Sequence, residues 1–216
     1  MVKTPRDIII EDSPAEVRVA LTDHEGRLKR FFRSLKCKTS KIDGIYLGRL
    51  SKLNKATGGG YVDLYDGNTT YLPRTKGLTE GQSLIVQIIR DEYKDKSAVV
   101  TATPILRGRY ISLQPEHLGI EVERGVPKSF AREKFFSTNG LFDKGRFTIR
   151  RPCSNVSKTE IENEVRRLAA QWQGIQQAAN ETTSSVLLMS PPDIGERILR
   201  DTYNTVSYTH LTLPTT

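Results

Sequence analysis

Residues 58–73, "GGGYVDLYDGNTTYLP", place two short β patterns around the turn signal "DGN". Side chains alternate faces along a strand, so Tyr61, Asp63 and Tyr65 share one side, and Val62 and Leu64 the other. The valine–leucine side suits the interior of a barrel. Tyr71, in the next strand, lies near Tyr61 if the turn closes an antiparallel pair. Two readings of the tyrosines fit. In one, the rings form an exposed platform on which unpaired bases stack, with Lys52, Lys55, Arg74 and Lys96 holding the backbone. In the other they fill the barrel mouth against a second domain, their hydroxyls hydrogen-bonded.

Working outward, "GIYLGRL", "GGYVDLY", "TTYLP", "SLIVQIIRD" and "SAVVTATPIL" are five strand candidates between Asp43 and Leu106. Glycine, asparagine or aspartate separates most of them, and no helix-period segment intervenes. That number of strands in so short a stretch is the size of an OB-fold. Before them, "DIIIEDSP" and "EVRVALTDHEGRLKRFF" read as a strand followed by a hairpin. After Pro104 the segment "RGRYISLQPEHLGIEVERGVPKS" is irregular, and "RFTIR" (146–150) is one short strand. "SKTEIENEVRRLAAQWQGIQQAAN" is the clearest helix. Ser157 and Glu160 make a capping box, and Ile161, Val165, Leu168, Trp172, Ile175 and Ala179 fall on one face. "SSVLLM" is an apolar strand, and "SPPDIGERILRDTY" opens a second helix with prolines in its first turn. Strand, helix, strand, helix is an α/β pattern. The predicted fold class is α+β: a five-stranded OB-fold barrel (39–106) inserted beside a partial α/β region.

The 216 residues carry a formal net charge of +8. From Gly26 to Lys55 ten Lys/Arg face a single acid, Asp43, so this stretch alone is basic and the remainder near neutral. Such a concentration is the footprint of a polyanion binder, or else a solvated basic face. Cys37 and Cys153 are too few for a four-cysteine zinc site and fit a reducing cytoplasm. No apolar run is long enough for a membrane span, and the N-terminus lacks the features of a secretory signal. The final "VSYTHLTLPTT" (206–216) has no counterpart in the chemistry before it. It reads as a translated sequencing adapter, with the natural protein continuing past Thr205, and is set aside.

With these residues in view, the chain resembles the ribonuclease E / ribonuclease G family from about Asp7 to Tyr203. The matching stretches are "DIIIEDSPAEVRVAL", "GIYLGRLSKL", "GGGYVDLYDGNTTYLP", "EGQSLIVQIIRDEYKDKSAVVTATPILRGRYISLQP", "IRRPC" and "RLAAQWQGIQQAA". The resemblance implies N-terminal strands of an RNase H-like subdomain (1–38), the RNA-binding barrel, a 5′-sensor region (107–156) and an incomplete RNase H-like continuation (157–205). It implies single-stranded RNA as partner, in RNA processing or decay, including ribosomal RNA processing, in the bacterial cytoplasm. Barrel positions matching Tyr61 and Tyr71 are aromatic in the family, and that matching Lys96 is lysine; Lys52 and Lys55 add charge. Arg150 matches an arginine of the sensor for the RNA 5′-monophosphate. Arg151 stands where the family has threonine, and "GIEVERG" replaces a glycine-isoleucine-serine-arginine-arginine stretch, leaving Arg124. The family's two magnesium-binding aspartates and its inter-protomer zinc cysteines lie further on. No catalytic residue, metal ligand or cofactor is therefore expected in this chain, and oligomerisation belongs to the full-length protein. Two alternatives stay open: a non-catalytic or ribosome-associated RNA-binding protein, and a barrel whose basic surface takes an acidic protein.

Overall fold

The computed structural model describes residues 7–124, 126, 145–151, 153, 156–202 and, as backbone, 208–212. The chain divides into two compact units, 41–191 and the combination of 1–40 with 192–216.

In the smaller unit, β1 (Asp7–Asp12), β2 (Glu16–Thr22) and β3 (Leu28–Leu35) form an antiparallel meander. Ile8, Ile10, Val19 and Leu21 alternate inward and pack with Ile198 of a short helix, Ile194–Thr202. That helix is capped by Asp193, whose carboxylate accepts from the Glu196 N–H at 2.7 Å. Its two prolines precede the helix instead of occupying its first turn. Within the segment set aside above, Tyr208–Thr212 pairs in parallel with β1.

The larger unit holds the barrel. β4 (Ile45–Asn54), β5 (Gly59–Asp63), β6 (Thr69–Leu72), β7 (Ser83–Arg90) and β8 (Val99–Thr101) run in the spatial order β4-β5-β6-β8-β7, and β7 returns to β4. Only the β6–β8 contact is parallel. The five-stranded barrel expected from the sequence is therefore present and closed. Its interior is Tyr46, Leu50, Val62, Leu64, Leu72, Val86, Ile88 and Val100, the alternation that the 58–73 stretch announces. Burial pushes the Tyr46 phenol up to about 12, so it stays neutral.

The stretch after Pro104 is more regular than its sequence suggests. β9 (Leu106–Arg107), β10 (Ile111–Gln114), β11 (Gly119–Val122) and β12 (Arg146–Ile149) form a second sheet in the order β11-β12-β10-β9. Strands this short carry too few residues for a period-2 signal to emerge. Helix α1 (Lys158–Asn180) begins with the expected capping box of Ser157 and Glu160. Its face of Ile161, Val165, Leu168, Trp172 and Ile175 packs on Leu106, Ile111, Leu113, Phe147 and Ile149. β13 (Val186–Met189) then pairs antiparallel with β4. Residues 157–191 thus stay with the larger unit. The apolar face of α1 is the reason, because the second sheet is what it covers. The second helix, α2 (Ile194–Thr202), belongs to the smaller unit and packs on its N-terminal sheet.

One side chain ties helix to sheet. The Glu164 carboxylate accepts from the backbone N–H groups of Arg109, Tyr110 and Ile111 at 2.8, 2.7 and 2.9 Å. Gly108 makes the approach possible, since a Cβ there would lie 2.6 Å from the Glu164 carboxyl carbon. Replacing Glu164 by alanine strands three donors in a largely covered site. Glu164→Ala is expected to lower stability by about 3 kcal/mol, read by urea unfolding followed through Trp172 fluorescence.

Charge pairing shapes the smaller unit in a way that can be titrated. Hydrogen bonding from Lys29, then from Arg27 and nearby backbone, holds the Asp23 carboxyl well below the usual range. The Arg33 guanidinium, with Arg18, does the same for Glu16. Both folded-state values are depressed, so this stabilisation is complete above about pH 5 and disappears as pH falls through those values. An acid titration of the amide NMR signals of Glu16–Leu35 should show loss of dispersion. Glu16→Gln with Asp23→Asn should flatten that acid limb.

Candidate nucleic-acid interface

The outer face of the barrel carries one continuous cross-strand row. Lys52 on β4 is opposite Tyr61 on β5, Tyr61 is opposite Tyr71 on β6, and Tyr71 is opposite Val99 on β8. Val62 and Leu72, one residue on, point into the core, so the pleat fixes both tyrosines outward. The two rings lie 5.8 Å apart, tilted by 60°. Both are half-buried. Tyr65 does not join them: beyond the end of β5 it stacks on Tyr46, ring centres 6.2 Å apart, and is mostly exposed. Of the three tyrosines that open the sequence reading, two lie side by side on the outer barrel face and the third covers a buried phenol.

Tyr61 and Tyr71 form one wall of an open cleft of about 640 Å³, within the size range of small-ligand sites. The end of β7 and the hairpin that follows also line it, with Arg90, Tyr93 and Lys96. This hairpin closes on itself: the Tyr93 N–H donates to the Lys96 carbonyl at 3.1 Å and the Lys96 N–H to the Tyr93 carbonyl at 3.0 Å. Lys94 takes a left-handed backbone conformation (φ 51°), and its ammonium lies 5.4 Å from the Tyr93 ring centre. Tyr93 itself is 67% exposed. Lys96, named from the sequence, lines the cleft, as do Tyr93 and Arg90, which the sequence reading did not name. A tyrosine inside the charged turn "DEYKDKS" has no strand period to reveal its direction.

Lys52 ends the cross-strand row and is exposed, whereas Lys55 occupies the β4–β5 turn outside the cleft lining. Arg74 is also exposed and outside the lining. The basic run proves less free than its composition implies. Arg27 and Lys29 pair with Asp23, Arg33 with Glu16, Lys36 with Asp12, and Lys41 with Asp66. Those acids lie outside the run, so counting charges inside it overstated the field. Among the described residues, Lys52 and Lys55 have no ion-pair partner.

The other anticipated site lies at the end of β12. The Arg150 guanidinium donates to the Gly108 carbonyl, and its N–H to the Tyr110 carbonyl at 2.8 Å. Arg151 donates from Nε to the Arg124 carbonyl at 2.9 Å, while its N–H donates to Glu123 at 2.9 Å. Neighbours in sequence, the two side chains are fastened to different loops. Among the described residues, no group of three or more His, Cys, Asp or Glu is arranged to hold a metal. No described helix is long and apolar enough to cross a membrane.

Comparison with known proteins bears on this arrangement. Residues 105–211 match the model of the ribonuclease E/G family. The resemblance to that family is borne out. A ribonuclease E/G-like protein of Pyropia yezoensis is 29% identical over 182 residues, covering 76% of this chain and 36% of its own length. Ribonuclease G of Haemophilus influenzae is 22% identical, and that of Escherichia coli K12 21%, each over 90% of this chain and 45% of the relative. The chain thus spans between about a third and a half of the ribonuclease E/G relatives it matches. The family match begins at the second sheet, and the barrel is joined to ribonuclease E/G by the longer pairwise similarities.

Gly59 leaves the space that the Tyr71 ring occupies. A Cβ at this residue would lie 2.5 Å from the Tyr71 hydroxyl and 2.9 Å from the Leu72 carbonyl. Gly59→Ala should therefore displace the Tyr71 ring. The expected readout is a changed near-ultraviolet circular dichroism signal, with far-ultraviolet signal retained and a stability loss of about 1–3 kcal/mol.

Proposed function

We propose that this chain binds single-stranded RNA across the barrel face, as the N-terminal portion of a ribonuclease E/G-type endoribonuclease that processes or degrades RNA in the cytoplasm. The observation that carries the reading is the directly opposed Tyr61–Tyr71 pair, turned outward beside a cleft with Arg90 and Lys96. Aromatic rings offer a stacking face to every base, and neighbouring cations hold phosphates without reading sequence. In this reading Tyr61 and Tyr71 stack bases, Lys96 contacts the backbone, and Lys52 and Lys55 add charge along the approach. Arg150 and Arg151 meet a 5′-phosphate, a guanidinium fork being suited to a terminal phosphate. Magnesium-dependent cleavage needs an anionic cluster to fix the ion and activate water. Among the described residues no group of three or more His, Cys, Asp or Glu is arranged to hold a metal, and the proposal concerns binding alone. In the parent enzyme the magnesium and zinc sites, and any assembly through them, fall in segments outside this chain.

Fluorescence anisotropy with a labelled single-stranded RNA 9-mer tests the reading. Tyr61→Ala should weaken binding about 5- to 100-fold, in line with roughly 1–3 kcal/mol per stacked base. Tyr61→Phe should bind nearly as wild type. Lys96→Ala should weaken all sequences alike and reduce the salt slope by about 1. Unchanged affinity in Tyr61→Ala would remove the platform. A 5′-monophosphate should improve binding over a 5′-hydroxyl, and Arg150→Ala should erase the difference.

A further inference from the structure

The cleft contains a group that a surface made only for phosphates would exclude. Asp95, at the tip of the Tyr93–Lys96 hairpin, lines it together with Asp91, Arg90 and Lys96. Other polar groups of the lining are already engaged. The Asp91 carboxylate accepts from the Lys41 N–H at 2.8 Å. The Asn54 side-chain oxygen accepts from the N–H groups of Ala56 and Thr57 at 3.1 and 3.3 Å, closing its own turn. Among the described residues, none hydrogen-bonds or ion-pairs with the Asp95 carboxylate. Placed where a polyanion would run, an ionised carboxylate opposes phosphate and can only accept hydrogen bonds. It favours a nucleic acid through the donors on a base edge.

We propose that Asp95 makes the cleft selective for guanine among the bases stacked on Tyr61 and Tyr71; the proposal rests on the single-stranded RNA reading above. The choice of base follows from donor pattern. Guanine presents two adjacent donors on its Watson–Crick edge, N1–H and the N2 amino group, which match the two oxygens of one carboxylate. Adenine and cytosine each set a single amino donor beside a ring-nitrogen acceptor, and uracil flanks its N3–H with two carbonyls. Each of those puts a lone pair against the carboxylate, so discrimination comes from repulsion as well as attraction. The hairpin supplies the placement, since its paired backbone holds residue 95 between Tyr93 and Lys96 while the tyrosines hold the ring plane. Selectivity of this kind differs from the phosphate contacts of Arg90 and Lys96, which are indifferent to sequence.

The experiment uses the whole chain and four labelled 9-mers: all-uridine, and the same strand with one central guanosine, inosine or adenosine. Wild type should bind the guanosine strand about tenfold more tightly than the all-uridine or adenosine strands, the range for one bidentate base contact. Inosine lacks the N2 amino group and should fall between. Asp95→Asn should bring guanosine within about threefold of uridine, with binding to all-uridine unchanged or tighter because a negative charge is gone. Wild-type affinities within twofold for all four strands, with Tyr61→Ala still weakening each, would overturn guanine selection and leave the stacking platform standing. A guanosine preference that persists in Asp95→Asn would equally overturn the role of Asp95. Failure of wild type to bind any of the strands would sink both readings.

Discussion

Strand β4 is the constraint on which the larger unit depends. Its first residues, Ile45–Arg49, pair with β7, and from Arg49 onward it pairs with β5. A single ten-residue strand thus closes the barrel by changing partners along its length. β13 takes up the place beside Ile45–Leu47 that β5 does not reach, and Ser185 hydroxyl donates to the Asp63 carbonyl at the junction. Ile45 belongs to the core under the second sheet, and Tyr46 to the barrel core. Because β4 serves two cores and three neighbours, its register cannot slip without turning apolar groups outward. A register shift between Leu50 and Lys52 then brings Lys52 opposite Tyr61, and the β5–β6 pairing sets Tyr61 opposite Tyr71.

The distribution of charge follows from pairing more than from composition. The basic run straddles the two units, and much of its N-terminal part is matched by acids on β1, β2 and the turn at Asp23. Such pairs contribute modestly to stability and leave little field for a distant polyanion. On the barrel, Lys52 stands opposite Tyr61, and Lys96 lines the cleft together with Tyr61 and Tyr71. For attraction at short range, arrangement of this kind counts for more than net charge.

Much of the barrel was legible because its signals are periodic. Alternation in "GGYVDLY" assigned Val62 and Leu64 to the interior and Tyr61 to the exterior, and the 3.6-residue spacing of α1 identified its buried face. The capping box at Ser157 and Glu160 was readable letter by letter. What escaped depends on contacts distant in sequence. β9, β10 and β11 are two to four residues long and exist because neighbouring strands complete their hydrogen bonds. Tyr65 obeys the alternation of its strand on paper, but the chain leaves β5 at Asp63 and turns it onto Tyr46. Tyr93 and Asp95 enter the cleft only through the turn that follows β7. The allegiance of α1 to the second sheet was hidden for the same reason: amphipathic spacing tells which face is covered and not by what.

The three backbone N–H groups gathered by Glu164 have a consequence for anion chemistry. Consecutive amides converging on a point are the form of an anion nest, the device by which many loops grip phosphate or sulfate. In this molecule the nest between Gly108 and Ile111 is already filled by the protein's own carboxylate, delivered from the helix and locked by the space glycine leaves. An incoming phosphate would meet a resident negative charge instead of open donors. Any terminal phosphate held near Arg150 must therefore rely on side-chain cations, and the main chain of that turn is reserved for holding helix and sheet together.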